Sequence, residues 1–257
     1  MNIQEYKKAF VKALEDIDRS KNRQENFINF CEMTYCAIAK TTALTEAAAN
    51  KFEDRYMEIV GQYRNKDDVR KIPELLTITT LAINEGGCDF LGDVSAELEA
   101  LDKKNGQFFT PYHLSKLMAG INLSGADLII NEQGFITISD PAAGAGCMIL
   151  ASADYLEEQG HDITTTMSAH ATELSRMTYH MLFVQLSLRG IPAAVIHGNS
   201  LSLEVFESAY TPAARVFANK HGSLFKETVR EELSIETPNI EFNVEPIINA
   251  QQLNLFG

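Results

Sequence analysis

The chain has 257 residues, 45% of them hydrophobic and 22% charged, and its 22 basic and 35 acidic side chains leave a net charge of −13. That balance excludes a protein whose whole surface grips nucleic acid or anionic lipid, because such partners need clustered Lys and Arg. No apolar run approaches the roughly 18–20 residues of a membrane span, and the opening Met1-Asn2-Ile3-Gln4-Glu5 lacks the charged-then-apolar order of a signal peptide.

Residues 1–102 carry helical periodicity and almost no strand signal. Tyr6, Phe10, Leu14 and Ile17 recur at spacings of four, four and three, which places them on one helix face. Phe27, Phe30, Cys31, Thr34, Tyr35 and Ile38 make a second stripe, and Phe52, Tyr56, Ile59, Val60 and Tyr63 a third. Val69, Ile72, Leu75 and Leu76 begin a fourth, which Gly86-Gly87 breaks. Such stripes read as helix–helix core, so 1–102 is expected to be an N-terminal helical domain.

From Lys103 the pattern changes. Thr110 is a good N-cap and Pro111 a good first residue for a helix through Met118. Asp127–Ile130 and Phe135–Ser139 flank Asn131-Glu132-Gln133-Gly134 and read as a hairpin. Met148–Glu158 and Leu174–Arg189 have helical spacing, while Thr165–Ala171 and Ala193–His197 read as short buried strands. Strand, glycine turn, helix, strand, helix, strand is the order of a βαβαβ unit. The expectation is an α/β domain over 103–233, with Ile136–Asp140 central in the sheet and Gly222–Leu233 as a further helical candidate. Residues 234–257 hold two prolines, Glu236, Glu241 and Glu245, and no basic side chain, and read as an extended tail.

Three places carry chemistry. In Ile136–Gly146 an apolar strand ends in Asp140, and Pro141-Ala142-Ala143-Gly144-Ala145-Gly146 then opens a helix. Glycines there let backbone approach a ligand, and the helix N-terminus offers unpaired N–H groups. Glu173 ends the next strand, where a carboxylate accepts from ribose hydroxyls in doubly wound folds. Asn199, in His197-Gly198-Asn199-Ser200 after the third strand, lies beside the same crevice. Upstream, Asn105-Gly106-Gln107-Phe108-Phe109-Thr110-Pro111 sets two phenylalanines in a polar loop. Lys103, Lys104 and Lys116 are the charges of the acid-free stretch 103–126, either a modestly positive mouth or a solvated loop.

Taken together, "GQFFTP", "DPAAGAG", the acid after the next strand and "GNSL" over about Asp89–Leu203 resemble the adenine-N6 DNA methyltransferases, in particular modification subunits of type I restriction-modification systems. The resemblance implies a Rossmann-like methyltransferase sheet and S-adenosylmethionine as cofactor. It places Gln107, Phe108, Phe109, Thr110 and Pro111 at the methionine end, with Ala142, Gly144, Gly146 and Cys147 approaching through backbone. Asp140 would orient the turn or meet the amino group, Glu173 would hold the ribose, and Asn199 would sit near the adenine ring. DNA is the implied substrate, with a specificity subunit or self-association as further partners.

Members of that family carry Asn/Asp-Pro-Pro-Tyr/Phe after the fourth strand, which holds the amine of a flipped adenine. No such motif follows Asn199. The nearest piece, Ser208-Ala209-Tyr210-Thr211-Pro212-Ala213, offers Tyr210 to stack on a base and Pro212 to present a carbonyl. Two functions therefore stand: methylation of adenine N6 in DNA, or a cofactor-binding module that acts through a partner. At the end of the tail, Gln252-Leu253-Asn254-Leu255-Phe256 is similar to the peptide Gln-Leu-x-Leu-Phe by which bacterial proteins dock on the sliding clamp.

Cys31, Cys36, Cys88 and Cys147 form no CxxC pair, and His113, His170, His180, His197 and His221 are spread over different elements. The expectation is reduced thiols in a cytoplasmic protein with no metal site.

Overall fold

The first helices form where caps and apolar stripes coincide. Helix α1 (Ile3–Glu15) starts at Asn2, whose side chain and that of Glu5 each accept from the other's backbone N–H. Helices α2 (Arg23–Thr42), α3 (Glu46–Gly61), α4 (Lys66–Val69) and α5 (Ile72–Glu85) follow. Gly86 then ends α5 at φ 71°, a conformation that favours glycine. A further helix, α6 (Phe90–Glu97), goes unsignalled in the sequence pattern. Phe10 lies edge-on to Phe30 and Phe90 at centroid distances of 5.3 and 5.7 Å, so the first two stripes meet in one aromatic core. This computed structural model describes residues 1–98 and 110–225.

Beyond residue 109 come α7 (Tyr112–Asn122) and α8 (Ala126–Gln133), then β1 (Ile136–Asp140) and α9 (Cys147–Glu158). Pro111 rather than Thr110 caps α7. The hairpin expected over Asp127–Ser139 is corrected: its first arm is helical. Ala126 and Ile130, one turn apart, are both buried, and Gly134 closes α8 at φ 87° with its N–H donating to the Ile130 carbonyl at 2.7 Å. The short α10 (Ile163–Thr166) leads into β2 (Met167–Glu173), followed by α11 (Arg176–Leu188), β3 (Ala193–Asn199), β4 (Glu204–Tyr210) and α12 (Pro212–His221).

Among the described residues the sheet order is β1-β2-β3-β4, the first three strands parallel and β4 antiparallel to β3. Ile136–Asp140 is therefore an edge strand here and not the central one. One sheet face buries Ile136, Ala169, Ala171, Ala193 and Val195 in the main core. The other carries a small second core in which Phe135 meets Phe217 edge-on at 4.9 Å.

Helices from both halves of the sequence share the main core. Tyr35 on α2 and Tyr179 on α11 exchange a buried hydroxyl hydrogen bond of 2.9 Å. On α3, Arg55 donates to Glu32 and to Glu207 on β4, each at 2.7 Å. The boundary expected near residue 102 falls outside the described residues, and the chain on either side of it packs together. Gly222 ends α12 in the left-handed region at φ 79°, so the helical candidate Gly222–Leu233 begins at a helix stop. The rest of that candidate from residue 226, and the tail, lie outside the described residues.

Candidate functional site

Parallel strands bring their C-terminal ends to one rim, and that rim gathers most of the residues singled out by sequence. Asp140 pairs in register with Ala171, and Glu173 with His197, two residues before Asn199. With neighbouring strands about 4.8 Å apart, Asp140, Glu173 and Asn199 stand at adjacent strand ends along this rim.

The turn after β1 is built by backbone hydrogen bonds. The Asp140 carboxylate accepts from the Ala142 N–H at 3.1 Å, and the Ala143 N–H donates to the Thr172 carbonyl at 3.0 Å. Gly144 sits at φ 57° and Gly146 at φ 100°. At Gly146 glycine is doubly required, because a Cβ would also lie 2.9 Å from the Leu182 side chain.

Glu173 is the electrostatic centre of this rim. One carboxylate oxygen accepts from the Gly144 N–H at 3.0 Å and the other from the Ser175 N–H at 2.8 Å. Burial raises its pKa above the ordinary glutamate value, against the lowering effect of these backbone donors. Each oxygen keeps a lone pair beyond the one committed to backbone, so the group can still accept from a ligand diol. Asn199 spends its carboxamide oxygen locally, on the backbone N–H groups of Leu201 at 3.0 Å and Ser202 at 3.3 Å.

Thr110 and Pro111 lie against the start of α9: the Cys147 thiol donates to the Thr110 carbonyl at 3.4 Å and to the Ser115 hydroxyl at 3.2 Å. Burial pushes that thiol up to about 12, which suits packing and not nucleophilic chemistry. Gln107, Phe108 and Phe109 lie outside the described residues. So do Lys103 and Lys104, whereas Lys116 pairs with Glu158.

Sequence reasoning missed Gln185. It is fully buried on α11, and its amide N–H groups donate to the Ala145 carbonyl and to Asp89, both at 2.7 Å. Its carbonyl accepts from the Leu91 N–H at 2.9 Å. One side chain thereby fixes the glycine turn to the start of α6. The available signal was a Gln between Val184 and Leu186 in an apolar helix, a position that demands partners.

The structure does not bring Tyr210 and Pro212 to this rim. Tyr210 pairs with Ala194 at the start of β3, five residues or roughly 16 Å of strand from Asn199. Thr211 is bound there too, donating to the Ile191 carbonyl at 2.7 Å and accepting from the Ala193 N–H at 2.9 Å. Tyr210 borders a cavity of about 580 Å³ with Thr42, Arg215 and Phe225 at this far end. The geometric basis for assigning these two residues a catalytic role is thereby removed. Beside the rim itself is a cavity of about 250 Å³ lined by Ser139, Pro141, His170, Thr172 and Asn199. Among the described residues no group of His, Cys, Asp and Glu is arranged to hold a metal ion, and no helix is long and apolar enough to cross a membrane.

Comparison with known proteins adds three findings. The family model described as N-6 DNA methylase matches residues 91–252. The methylase subunit of the type I restriction enzyme MpnII from Mycoplasma pneumoniae is 28% identical over 152 residues, which is 54% of this chain and 26% of that subunit. Two solved structures align at 15% identity. One, assigned as a class I S-adenosylmethionine-dependent methyltransferase from Listeria monocytogenes, has a TM-score of 0.43 over 77% of this chain and 54% of its own. The other, a type I restriction-modification methyltransferase subunit from Streptococcus thermophilus, has a TM-score of 0.38 over 78% and 59%. The chain thus spans about a quarter of the Mycoplasma relative and little more than half of the solved ones.

Proposed function

The chain belongs to the N-6 DNA methylase family, and on that premise we propose that it binds S-adenosylmethionine at the ends of β1–β3 and serves the methylation of adenine N6 in DNA, as a protein of the type I modification-subunit kind. The observation that carries the reading is Glu173, a half-buried carboxylate tied to the Gly144 N–H of the glycine turn. This donor set fits the cofactor. A carboxylate with spare lone pairs suits a ribose diol, and a turn with two glycines at positive φ admits a close-lying ligand. Asp140 and Glu173 would hold the cofactor's polar groups, with Ala142, Gly144, Gly146 and Cys147 in backbone contact. Gln107–Pro111 would form the opposite wall, and the carboxamide N–H groups of Asn199 would meet the adenine edge. The cofactor supplies an electrophilic methyl group, and the residues named here bind and orient it.

Titration calorimetry with S-adenosylmethionine, followed by a methylation assay on mixed-sequence DNA with and without a specificity subunit, tests the proposal. Binding together with transfer is the expected result. Binding without transfer in either arm moves the reading to a cofactor-binding module that acts through a partner. Glu173→Ala should weaken cofactor affinity by about tenfold or more, the worth of one charge-assisted hydrogen bond. If Glu173→Ala and Asp140→Ala both bind as tightly as the parent, the site assignment fails.

On the same footing, Gln252, Leu253, Leu255 and Phe256 are proposed to dock on a sliding clamp, which would hold an acidic protein near DNA at an effective concentration of order mM. A pull-down with purified clamp, comparing the intact chain with a Leu255→Ala/Phe256→Ala variant, decides this. Equal retention of both, or of neither, overturns it.

A further inference from the structure

A cavity of about 460 Å³ lies between α3, the start of α11 and the β3–β4 pair, and its walls are basic and aromatic. Its size is that of a small-molecule site. Lys51 and Arg55 line it from α3, Arg176 from α11, His197 from β3, and Phe206 and Glu207 from β4. Three cations there meet two carboxylates: Arg55 is shared between Glu32 and Glu207, and Arg176 pairs with the same Glu32. Lys51 has no ion-pair partner among the described residues, and the Arg55 Nε is buried without a partner among them. In a chain of net charge −13 this wall is left with a positive excess and unspent donors. The aromatic wall is fixed as well. The His197 ring has its Nε2 against the Leu174 carbonyl at 3.1 Å and stacks on Tyr179. Phe206 lies edge-on to that ring at 5.1 Å and is 50% exposed.

We propose that this cavity binds a free nucleoside monophosphate, its phosphate on Lys51 and Arg176 and its base against Phe206. Clustered cations alone would suit any anion. A half-exposed aromatic ring beside them selects an anion that carries a planar base. The positive excess is local and small, which suits a single phosphate, whereas a nucleic-acid strand would spread its charges over an acidic chain. The cavity is also set apart from the glycine turn. His197 stands beside Glu173 in register on the same sheet face, while Asp140 and Gly144 belong to β1 and its turn, two strands from β3. The inference rests on the proposed function only for the cofactor's place across the ends of β1–β3. The nucleotide then lies beyond the cofactor on the β4 side, as a ligand in addition to cofactor and methyl acceptor.

Titration calorimetry of the full chain with AMP, run in saturating S-adenosylmethionine, tests this. One AMP should bind, and more tightly than inorganic phosphate or adenosine alone, since only AMP uses both walls. Lys51→Gln and Phe206→Ala, both at exposed positions, should each weaken AMP by about tenfold. Thermal melting should show both variants folded, and each should keep the parent's cofactor affinity within about twofold. No AMP binding at about 1 mM overturns the proposal, as does unchanged AMP affinity in both variants. Displacement of AMP by S-adenosylmethionine overturns it too, because the two would then share one site. So does a short single-stranded oligodeoxynucleotide that displaces AMP at concentrations below the Kd of AMP itself, which would assign the cavity to a strand. A chain that binds no S-adenosylmethionine counts against the proposed function alone, because AMP binding and its loss in the two variants are read equally well without the cofactor.

Discussion

Asp89 is a buried carboxyl whose neutral form the fold prefers. It is 3% exposed, one oxygen accepts from the Gly92 N–H at 3.0 Å and from Gln185 at 2.7 Å, and the other has no partner among the described residues. Burial raises its pKa from 3.8 to about 6, against the lowering effect of those two donors. The raised value means that its contribution to stability is complete below pH 3.8 and is lost as pH rises through about 6. Two pKa units correspond to about 3 kcal/mol. Asp89→Asn keeps the accepting oxygen and never ionises. Urea unfolding at pH 4.0 should therefore find parent and variant nearly equal, and at pH 7.5 the variant should be more stable by about 2–3 kcal/mol. For a chain of this size that is a rise in Tm of roughly 4–12 °C. A difference that stays flat between pH 4.0 and 7.5, or a variant less stable at pH 7.5, would refute the reasoning.

Gly146→Ala should lower stability by about 1–3 kcal/mol in thermal or urea unfolding, because φ 100° is strained for alanine and its Cβ would press on Leu182. Gln185→Leu leaves the Ala145 carbonyl, the Leu91 N–H and Asp89 short of partners, and should cost about 3–5 kcal/mol by denaturant titration. Tyr210→Ala lies at the opposite end of β3 from the rim, so cofactor affinity by calorimetry should stay within about twofold of the parent.

The rim at the strand ends was legible in sequence because its signals are local. A strand ending in Asp140, a turn of small residues and an acid closing the next strand lie within consecutive elements, and backbone geometry then brings them together. What was not legible depends on distant neighbours. Strand β4 has no alternation to read, since Val205 and Phe206 are adjacent and both exposed; it is a strand because β3 pairs with it. The stretch Asp127–Ile130 offers adjacent apolar residues that suit either strand or helix, and burial of Ala126 and Ile130 on one side decides for helix. Gln185 was visible as an oddity, but its partners lie 40 residues and more away in sequence.

The same topology sets the rim apart from the outer side of β1, which carries no strand among the described residues. Only Ser200–Leu203 join β3 to β4, and so short a link returns the chain antiparallel, whereas a parallel strand needs a crossover of a dozen residues or more. Gly198 seals this choice, since a Cβ there would lie 2.4 Å from the Glu204 carbonyl oxygen. The chain then leaves the sheet through Thr211, hydrogen-bonded to Ile191 and Ala193, and enters α12. Any strand added to the outer side of β1 therefore comes from outside residues 1–98 and 110–225. Asp140, Gly144, Glu173 and Asn199 are all held by bonds within the described residues. A Leu117→Glu/Ile121→Glu variant, altered at exposed residues of α7 away from these bonds, should accordingly bind S-adenosylmethionine within about twofold of the parent by calorimetry. A tenfold loss would mean that the outer face of α7 shapes the rim, and that the hydrogen bonds among Asp140, Gly144, Glu173 and Asn199 and their neighbours are insufficient to hold it.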